Sequence, residues 1–488
     1  MTRGARPAVW SVVWLLGVAC DGDRPPDGAD ASNPLPPGAD CHSPDPEELR
    51  TDLTVDGAQG VVTGDPGVPS AIGRAMSTGD LFGSGSDVVL VTNLRNAESY
   101  PKDAVHVLDG MSGALSEISA WTWEDEEFCC QAFGSGLEVG DADGDGTADV
   151  AIGATAAGYS AQGKVYLFRG PFDAARMPQT VEATAVIEGN PVGRVSATAM
   201  LGEFVAGAAW IAVGAPDNDD DPEMGEVALF PGDLVGPVAW DASAGLIRAV
   251  DVNTLLGATM ASGDLTGDGI AELVLAEHFA APAIHVFHGG QGLPNGTILD
   301  ADSTLLMADP MTLVFQEVIG DVDDDGHADI GIGIPVPDPF TEGGRDGEAW
   351  IVLGPLPAGT NPISQVGIHL TAERPLDNLG RSVHGPGDLD GDEVDDLLIS
   401  AAGDGYFGTA SPGVVYVFRG PLADGLGLDQ ADLIIVGECI GDSFGFDITS
   451  ANLDGDALAD VVISALGASG PEPFGGKLYT FTGASLTW

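Results

Sequence analysis

An acidic loop recurs along the chain at nearly constant intervals, and this recurrence limits the folds that the chain can adopt. Its fullest copy, at residues 140–149, reads GDADGDGTAD and is followed by an apolar run. The copies begin near residues 80, 141, 202, 264, 321, 388 and 452, so the steps are 61, 61, 62, 57, 67 and 64 residues. A period of this size is typical of repeat architectures.

Each unit carries the same further parts around its loop. A Phe-Gly or Leu-Gly pair precedes the loop in several units, for example at Phe133 and Phe444. After the loop comes a strand of alternating apolar residues, as at 165–170, 227–230, 284–287, 350–354, 415–420 and 478–481. Such alternation is typical of half-buried β-strands. The sequence shows no sustained helical periodicity, which favours an all-β fold.

These parts together resemble the FG-GAP repeat, the blade unit of integrin α-subunit heads and of many bacterial exported proteins. The resemblance covers roughly residues 51–488, and it implies a seven-bladed β-propeller. Four short strands per unit at this period also suit a propeller on general grounds. We therefore expect residues 51–488 to form one seven-bladed propeller with calcium-binding hairpin loops.

The last unit ends after its third strand, so its outer strand must come from elsewhere. Outer strands read DLIIVG at 432–437 and IHLTAE at 368–373, and a similar segment, DLTVDG, stands at 52–57. We predict that Leu53 to Asp56 pairs into the last blade beside Tyr479 to Thr482. This pairing would close the ring and remove a sheet edge.

The acidic loops have the ligand pattern of a calcium site. Side-chain oxygens at loop positions 1, 3 and 5, a backbone carbonyl at 7 and a carboxylate at 9 can surround one hard cation, and an all-protein oxygen cage suits Ca²⁺ better than Mg²⁺. About five sites are expected. The predicted ligands are Asp141, Asp143, Asp145 and Asp149; Asp264, Thr266, Asp268 and Glu272; Asp321, Asp323, Asp325 and Asp329; Asp388, Asp390, Asp392 and Asp396; and Asn452, Asp454, Asp456 and Asp460.

Two loops depart from this pattern. The loop at Asp80 is one residue short, which leaves calcium binding there open. The loop at Gly202 has lost its acids, so we expect no ion and a blade that packs Phe204 and Trp210 instead. The alternative for all the loops is a set of Asx-rich turns on a very acidic protein.

The charge balance excludes whole classes of partner. Lys and Arg number 17 against 75 Asp and Glu, a formal net charge of −58. Binding to phosphate backbones and docking on anionic lipid both need clustered cations, so neither fits this chain. No Ser/His/Asp order, nucleophile elbow or phosphate loop stands out in the sequence. His285 and His288 are three apart on a strand and therefore face opposite ways, which favours structural roles.

The N-terminal segment is typical of export. Arg3 and Arg6 precede an apolar run at 8–18, as in a signal peptide of residues 1–19. The sequence LGVAC ending at Cys20 resembles a bacterial lipobox, although ordinary secretion is the alternative. Residues 20–50 are rich in Pro and Asp and are expected to form a disordered tether from a lipidated Cys20. We expect an envelope lipoprotein, at the outer membrane or cell surface, or a secreted protein.

The remaining cysteines and two tryptophans are given structural roles. Cys41, Cys129, Cys130 and Cys439 can form disulfides in an exported chain, and their pairing stays open. Trp121 and Trp123 are interpreted as part of an insertion in the first unit. A local cap is favoured there over a ligand-binding loop.

The function expected from the resemblance is adhesion or recognition of a protein or glycan ligand by a non-enzymatic monomer. Integrin heads use one propeller face for ligands and for a partner subunit, but a fold does not name a ligand. An enzyme such as a hydrolase or lyase with its site at the propeller channel is the alternative, and a passive spacer is another. A channel mouth lined by His, Arg and carboxylates outside the calcium loops would favour the enzyme.

Overall fold

A computed structural model describes most of the chain beyond the N-terminal segment. The described residues are 53–64, 70–95, 104–109, 113–114, 119–124, 133–155, 163–173, 178–189, 193–194, 199–205, 208–218, 225–251, 254–278, 282–290, 292, 294–308, 313–335, 346–374, 377–403, 411–423, 425–468 and 475–486. The predicted signal peptide, Cys20 and the tether lie outside them.

Seven sheets, each built on four antiparallel strands, form the blades of a propeller, as predicted; five of them gain a short fifth strand that pairs in parallel. From the axis outward, blade 1 contains Ser70–Gly79, Val88–Arg95, Ala104–Leu108 and Ser119–Glu124; blade 2, Phe133–Gly140, Asp149–Ala154, Lys164–Phe168 and Ala185–Glu188; blade 3, Ala199–Val205, Ala208–Ala215, Glu226–Pro231 and Gly245–Arg248; and blade 4, Met260–Gly263, Glu272–Glu277, Ala283–Phe287 and Ser303–Leu306. Blade 5 contains Phe315–Gly320, Asp329–Ile334, Glu348–Val352 and Gly367–Thr371; blade 6, Leu379–Gly387, Asp396–Ala401, Val414–Phe418 and Leu433–Val436; and blade 7, Phe444–Ala451, Asp460–Ala465, Lys477–Phe481 and Gly60–Thr63. A separate two-stranded sheet joins Gly193–Arg194 to Asp217–Asn218.

The apolar cores lie between neighbouring blades. The second strand of blade 2, Asp149–Ala154, is buried at every residue because other blades cover both of its faces. One core, for example, combines Leu90 and Val105 of blade 1 with Ile152 and Phe168 of blade 2. Strands that are covered on both faces read as continuous apolar runs, which explains the runs after each acidic loop.

The outer strand of blade 7 does come from the N-terminal part, but the predicted segment is wrong. Gly60–Thr63 pairs antiparallel with Lys477–Phe481, whereas Leu53–Thr54 pairs in parallel with the outer strand of blade 6. Val55 and Asp56, the rest of the predicted segment, lie in a 3-10 turn, Val55–Gly57, whose first residue is buried. The apolar pattern of this turn resembles that of a short strand, and this caused the error.

Among the described residues, a turn of the same kind precedes the outer strand in six blades. These turns are Val55–Gly57, Thr180–Glu182, Trp240–Ala242, Ile298–Asp300, Ile363–Gln365 and Leu428–Gln430, and the first residue of each is buried. A seventh 3-10 turn, Gly483–Ser485, follows blade 7. Short strands along the connections run parallel to the outer strand of the preceding blade: Leu53–Thr54, Gly113–Ala114, Gly236–Ala239, Asn295–Thr297 and Gly359–Pro362. Each of these five strands therefore links one blade to the one before it by hydrogen bonds.

Three further sequence features can be placed. Trp121 and Trp123 lie in the outer strand of blade 1, Ser119–Glu124, so their assignment to an insertion is wrong. Cys439 is disulfide-bonded, and its partner lies outside the described residues, so the pairing stays open. In the part of the chain that the structure describes, no helix is long and apolar enough to cross a membrane.

Candidate metal centre

The ninth residue of each complete acidic loop ties the loop to the third strand of its blade. In blade 5, Asp329 is fully buried; its Oδ2 accepts the N–H of Val322 at 2.9 Å and its Oδ1 accepts the N–H of Gly354 at 2.7 Å. Burial raises the pKa of Asp329 to about 7, against the effect of these two donors. The same paired bonds occur at Asp149, Glu272, Asp396 and Asp460.

The first residue of the loop folds the chain around its own carboxylate. Asp321 accepts the N–H of Asp325 at 3.0 Å and the N–H of Gly326 at 2.8 Å. Gly326 has a φ of 92°, a conformation that favours glycine and turns the loop back toward the carboxylates. Asp141, Asp264 and Asp388 accept the equivalent N–H groups in their loops.

Three loops bring three carboxylates together, and we call each set an acidic trio. One oxygen from each member lies within 4.8 Å of the others. The trios are Asp141, Asp143 and Asp149 in blade 2; Asp321, Asp323 and Asp325 in blade 5; and Asp388, Asp390 and Asp396 in blade 6. Each trio contains three of the four predicted ligands of its loop, with Asp145, Asp329 and Asp392 outside it. These clusters could hold a metal ion.

The loops of blades 4 and 7 form no such trio among the described residues. Thr266 stands in place of the third-position acid, beside Asp264, Asp268 and Glu272. In blade 7, Asn452 replaces the first-position acid, and its amide donates to the carbonyl of Asp456 at 2.9 Å. With one carboxylate fewer, these predicted sites offer a cation less charge than the trios do.

Orphaned oxygens test whether the loops fit a cation. Asp323 Oδ1 in blade 5 and Thr266 Oγ1 in blade 4 are both buried without a hydrogen-bond partner. Both stand at the third position of their loops, where the ligand pattern calls for an oxygen facing the ion. A buried polar atom without a partner is costly, so a bound cation would satisfy both atoms. These residues therefore fit a hard cation, which would compensate the carboxylates and stabilise the loop.

Two arginines that the sequence analysis missed contact the trios. Arg169 Nη1 lies 3.1 Å from Asp143 Oδ2 in blade 2, and Arg419 Nη1 lies 3.2 Å from Asp390 Oδ2 in blade 6. Their signal was the sequence FRGP, which occurs at both 168–171 and 418–421. In blade 5, Leu353 stands at the equivalent place, so the trio there lacks an arginine from this position.

The two departing loops behave differently from the rest. In the loop of Asp80, Phe82 occupies the third position and offers no side-chain oxygen, while Asp87 accepts the N–H of Asn452 in blade 7 at 2.8 Å. Its last acid therefore joins two blades. The side chains of Glu203 and Phe204 lie outside the described residues, whereas Trp210 packs against the core between blades 3 and 4.

The predicted structural role of His285 fits its surroundings. The side chain is buried, with Nε2 3.1 Å from Glu277 Oε2 and Nδ1 3.1 Å from Thr304 Oγ1. His288 lies just after the end of the same strand, Ala283–Phe287, and its N–H donates to Asp302. The two histidines therefore have separate partners.

Charged residues also gather around the propeller axis, on the first strands of the blades. The Arg381 guanidinium lies between two rings, 4.5 Å from the centroid of Phe315 and 4.0 Å from that of Phe446. Asp447 accepts the N–H of Met76 at 3.0 Å, which links blade 7 to blade 1. Burial raises the pKa of Asp447 to about 7, although Arg381 opposes this effect.

Glu138, on the first strand of blade 2, should make stability depend on pH. Burial, and secondarily the charge of Glu317, raise the pKa of Glu138 from 4.5 to about 8. The stabilisation from its bound proton is complete below pH 4.5 and is lost as the pH rises through 8. Because the side chain is partly exposed, we expect Glu138→Gln to stabilise the protein by only about 1–3 kcal/mol at pH 8 and by little at pH 4.5.

Urea unfolding at both pH values would measure this difference. Glu188→Gln is the matched control, because Glu188 is an exposed glutamate on the outer strand of the same blade. An equal gain in both variants would contradict the assignment.

Comparisons with known proteins agree with this fold and these loops. Residues 133–168, which span the first three strands of blade 2, match the family model described as the FG-GAP repeat. Integrin alpha-PS2 of Drosophila melanogaster is 32% identical over 142 residues, an alignment that covers 27% of this chain and 10% of that protein. The chain thus spans about a tenth of the length of the curated relative that it matches. The predicted resemblance to FG-GAP repeats and integrin α chains is confirmed, while the bacterial lipoprotein type stays a prediction.

Proposed function

We propose that this chain is an exported, calcium-stabilised propeller that recognises a protein or glycan, in adhesion or a related recognition process. The observation that carries the proposal is the set of acidic trios in blades 2, 5 and 6, each in the loop between the first and second strands of its blade. The similarity to an integrin α chain adds support for recognition.

Calcium is the proposed ion because the loops offer only oxygen ligands. Carboxylates, a threonine or asparagine oxygen and a backbone carbonyl give the six or seven contacts that Ca²⁺ prefers, whereas Mg²⁺ keeps several waters. The twenty predicted ligands would then hold about five ions, with blades 2, 5 and 6 as the sites richest in carboxylates. All these loops join the first strand to the second, so the ions would lie on one face of the ring.

Blade 5 offers the sharpest test of ion binding. Asp325→Asn removes a carboxylate from its trio and should weaken calcium binding at one site by about tenfold or more, measured by calorimetric titration. Asp324→Asn is the matched control, since it removes the same charge one residue away. Asp324 has a φ of 61°, which asparagine tolerates, and it is not a member of the trio.

Equal loss of affinity in both variants would mean that only the general negative charge attracts the ion. No loss in either variant would contradict the site. A tenfold loss confined to Asp325→Asn is the result that we expect.

Recognition can be tested with the whole exported chain. The protein is immobilised and exposed to glycan arrays and to solubilised cell-surface proteins, with calcium and with chelator. We expect a saturable partner that is lost when the ring loses its ions. A partner retained equally by the unfolded chain would overturn recognition by the folded face, and the lack of any partner would favour a passive spacer.

The proposed location, in the cell envelope as a lipoprotein or outside the cell, rests on the N-terminal segment alone. In this proposal a lipid on Cys20 would be the only membrane attachment. The protein would be a monomer. Mass spectrometry of the mature N-terminus distinguishes a lipidated Cys20 from ordinary cleavage.

A further inference from the structure

Side chains from three successive blades form a linear hydrogen-bonded chain beside the propeller axis. Glu317 of blade 5 contacts His384 of blade 6, with 2.7 Å between Glu317 Oε1 and His384 Nδ1. The other ring nitrogen, His384 Nε2, lies 3.0 Å from Ser450 Oγ of blade 7. We propose that Ser450 is the nucleophile of a serine esterase site at the mouth of the channel, with His384 as its general base and Glu317 as a positioning residue.

The geometry meets the requirements for an activated serine. The hydroxyl and the base lie within the 2.6–3.2 Å that proton transfer needs, and a carboxylate holds the opposite nitrogen of the imidazole. Such a carboxylate fixes the tautomer with the proton on Nδ1, which leaves Nε2 free to accept the serine proton. Triads are recognised by this geometry and not by residue order, and here the order along the chain is Glu, His, Ser.

Ser450 also lies beside an open space where a substrate could bind. Ser450 lines an open cavity of about 360 Å³ between blades 6 and 7, together with Pro386, Ala451 and Leu458. Asp87 and two predicted calcium ligands, Asp388 and Asn452, also line this cavity. Because the other lining residues are small and apolar and the chain has a net charge of −58, a small neutral ester is favoured over an anionic one.

A second acid–histidine–hydroxyl set shows what distinguishes this one. Glu277, His285 and Thr304 are bonded in the same manner in blade 4, but the His285 and Glu277 side chains are only 6% and 4% exposed. The side chains of His384 and Glu317 are 12% and 38% exposed. The set at the axis is the less buried of the two, and its hydroxyl is the primary alcohol of a serine that lines a cavity, so it is the better placed for chemistry.

The reaction would be ester hydrolysis in two steps. The Ser450 oxygen attacks the ester carbonyl carbon while its proton passes to His384 Nε2; the carbonyl–alkoxy bond then breaks, and the alcohol leaves with that proton. Water next attacks the acyl-serine, gives its proton to His384, and releases the carboxylic acid as Ser450 regains its proton. The Glu317 carboxylate stabilises the transient imidazolium. Burial would lower the pKa of His384, but contact with Glu317 raises it, and the net shift is upward.

The inference goes beyond the proposed recognition function and can fail without affecting it. Its first test is covalent labelling of the full, calcium-loaded chain with a small uncharged fluorophosphonate, followed by mass spectrometry of the peptides. We expect one label, on Ser450, that is lost when the protein is unfolded before labelling. No label, or labels spread over many serines, would overturn the proposal.

The second test is hydrolysis of p-nitrophenyl acetate by variants. Ser450→Ala should lower the rate at least 100-fold, to the background of the buffer. Ser262→Ala is the matched control, because Ser262 stands two residues before its acidic loop in blade 4, as Ser450 does in blade 7. Unchanged hydrolysis in Ser450→Ala, or equal losses in both variants, would also overturn the proposal.

The role of Glu317 has its own readout. If it positions His384, Glu317→Gln should lower kcat about tenfold or more with KM and the melting temperature unchanged. A rise in KM at constant kcat, or a loss of activity that follows the melting temperature, would show that Glu317 does not position His384.

Discussion

Removing calcium should lower the melting temperature of the propeller by roughly 5–10 °C. In each acidic trio, three carboxylate oxygens lie within 4.8 Å of one another. Without an ion, this repulsion is compensated only in part, by Arg169 in blade 2 and Arg419 in blade 6. Binding at 100 times the dissociation constant stabilises a protein by about 2.7 kcal/mol per site, or about 8 kcal/mol for three trios. For a folded unit of roughly 430 residues, the unfolding entropy converts this to about 9 °C.

Calorimetry with calcium and with chelator measures the shift. The control is the chelated protein with added monovalent salt, because a chain of net charge −58 is also stabilised by general screening. If potassium chloride restores the melting temperature as fully as calcium does, specific sites do not explain the effect.

Asp329→Ala should destabilise the protein by about 2–5 kcal/mol even in the presence of chelator. The alanine would leave the buried N–H of Val322 and the partly buried N–H of Gly354 without an acceptor, and a buried donor without a partner costs about 1–3 kcal/mol. Asp329 thus has a structural role that is independent of the ion. Denaturant unfolding in chelator measures it, and Asp149→Ala should behave alike because Asp149 makes the same two bonds.

Two variants control this experiment. Asp329→Asn keeps one acceptor oxygen and should lose less stability than the alanine variant. Asp324→Asn changes charge in the same loop without touching either N–H and should stay within about 0.5 kcal/mol of the parent. If the alanine variant loses stability only when calcium is present, the paired hydrogen bonds do not act as described.

The blades could be predicted because the same local signal recurs in phase, complete in most units and recognisable in the others. An acidic loop, an apolar run and an alternating strand recur in phase, and local patterns of this kind set strand positions directly. The outer strand of blade 7 could not be placed with the same accuracy. Val55 is apolar because it opens a buried 3-10 turn, and its pattern looks like that of the strand at Leu433–Val436.

The candidate sites show the same division. The trios join residues within ten positions of one another, so their spacing was visible in the sequence. Glu317, His384 and Ser450 lie 67 and 66 residues apart and meet only because adjacent blades turn their first strands toward one axis. Arg169 reaches Asp143 from just beyond the third strand of the same blade; the recurring FRGP sequence marks the arginine, but it does not show which acid the side chain contacts.

The order in which the chain is synthesised bears on the last blade. Gly60–Thr63 is made early, but its partner Lys477–Phe481 is made about 400 residues later. The early strand must wait with an unpaired edge while six blades form, which exposes it to pairing with other molecules. We therefore expect truncated or stalled chains to aggregate. Full-length chains should become resistant to protease only after their last residues have been synthesised.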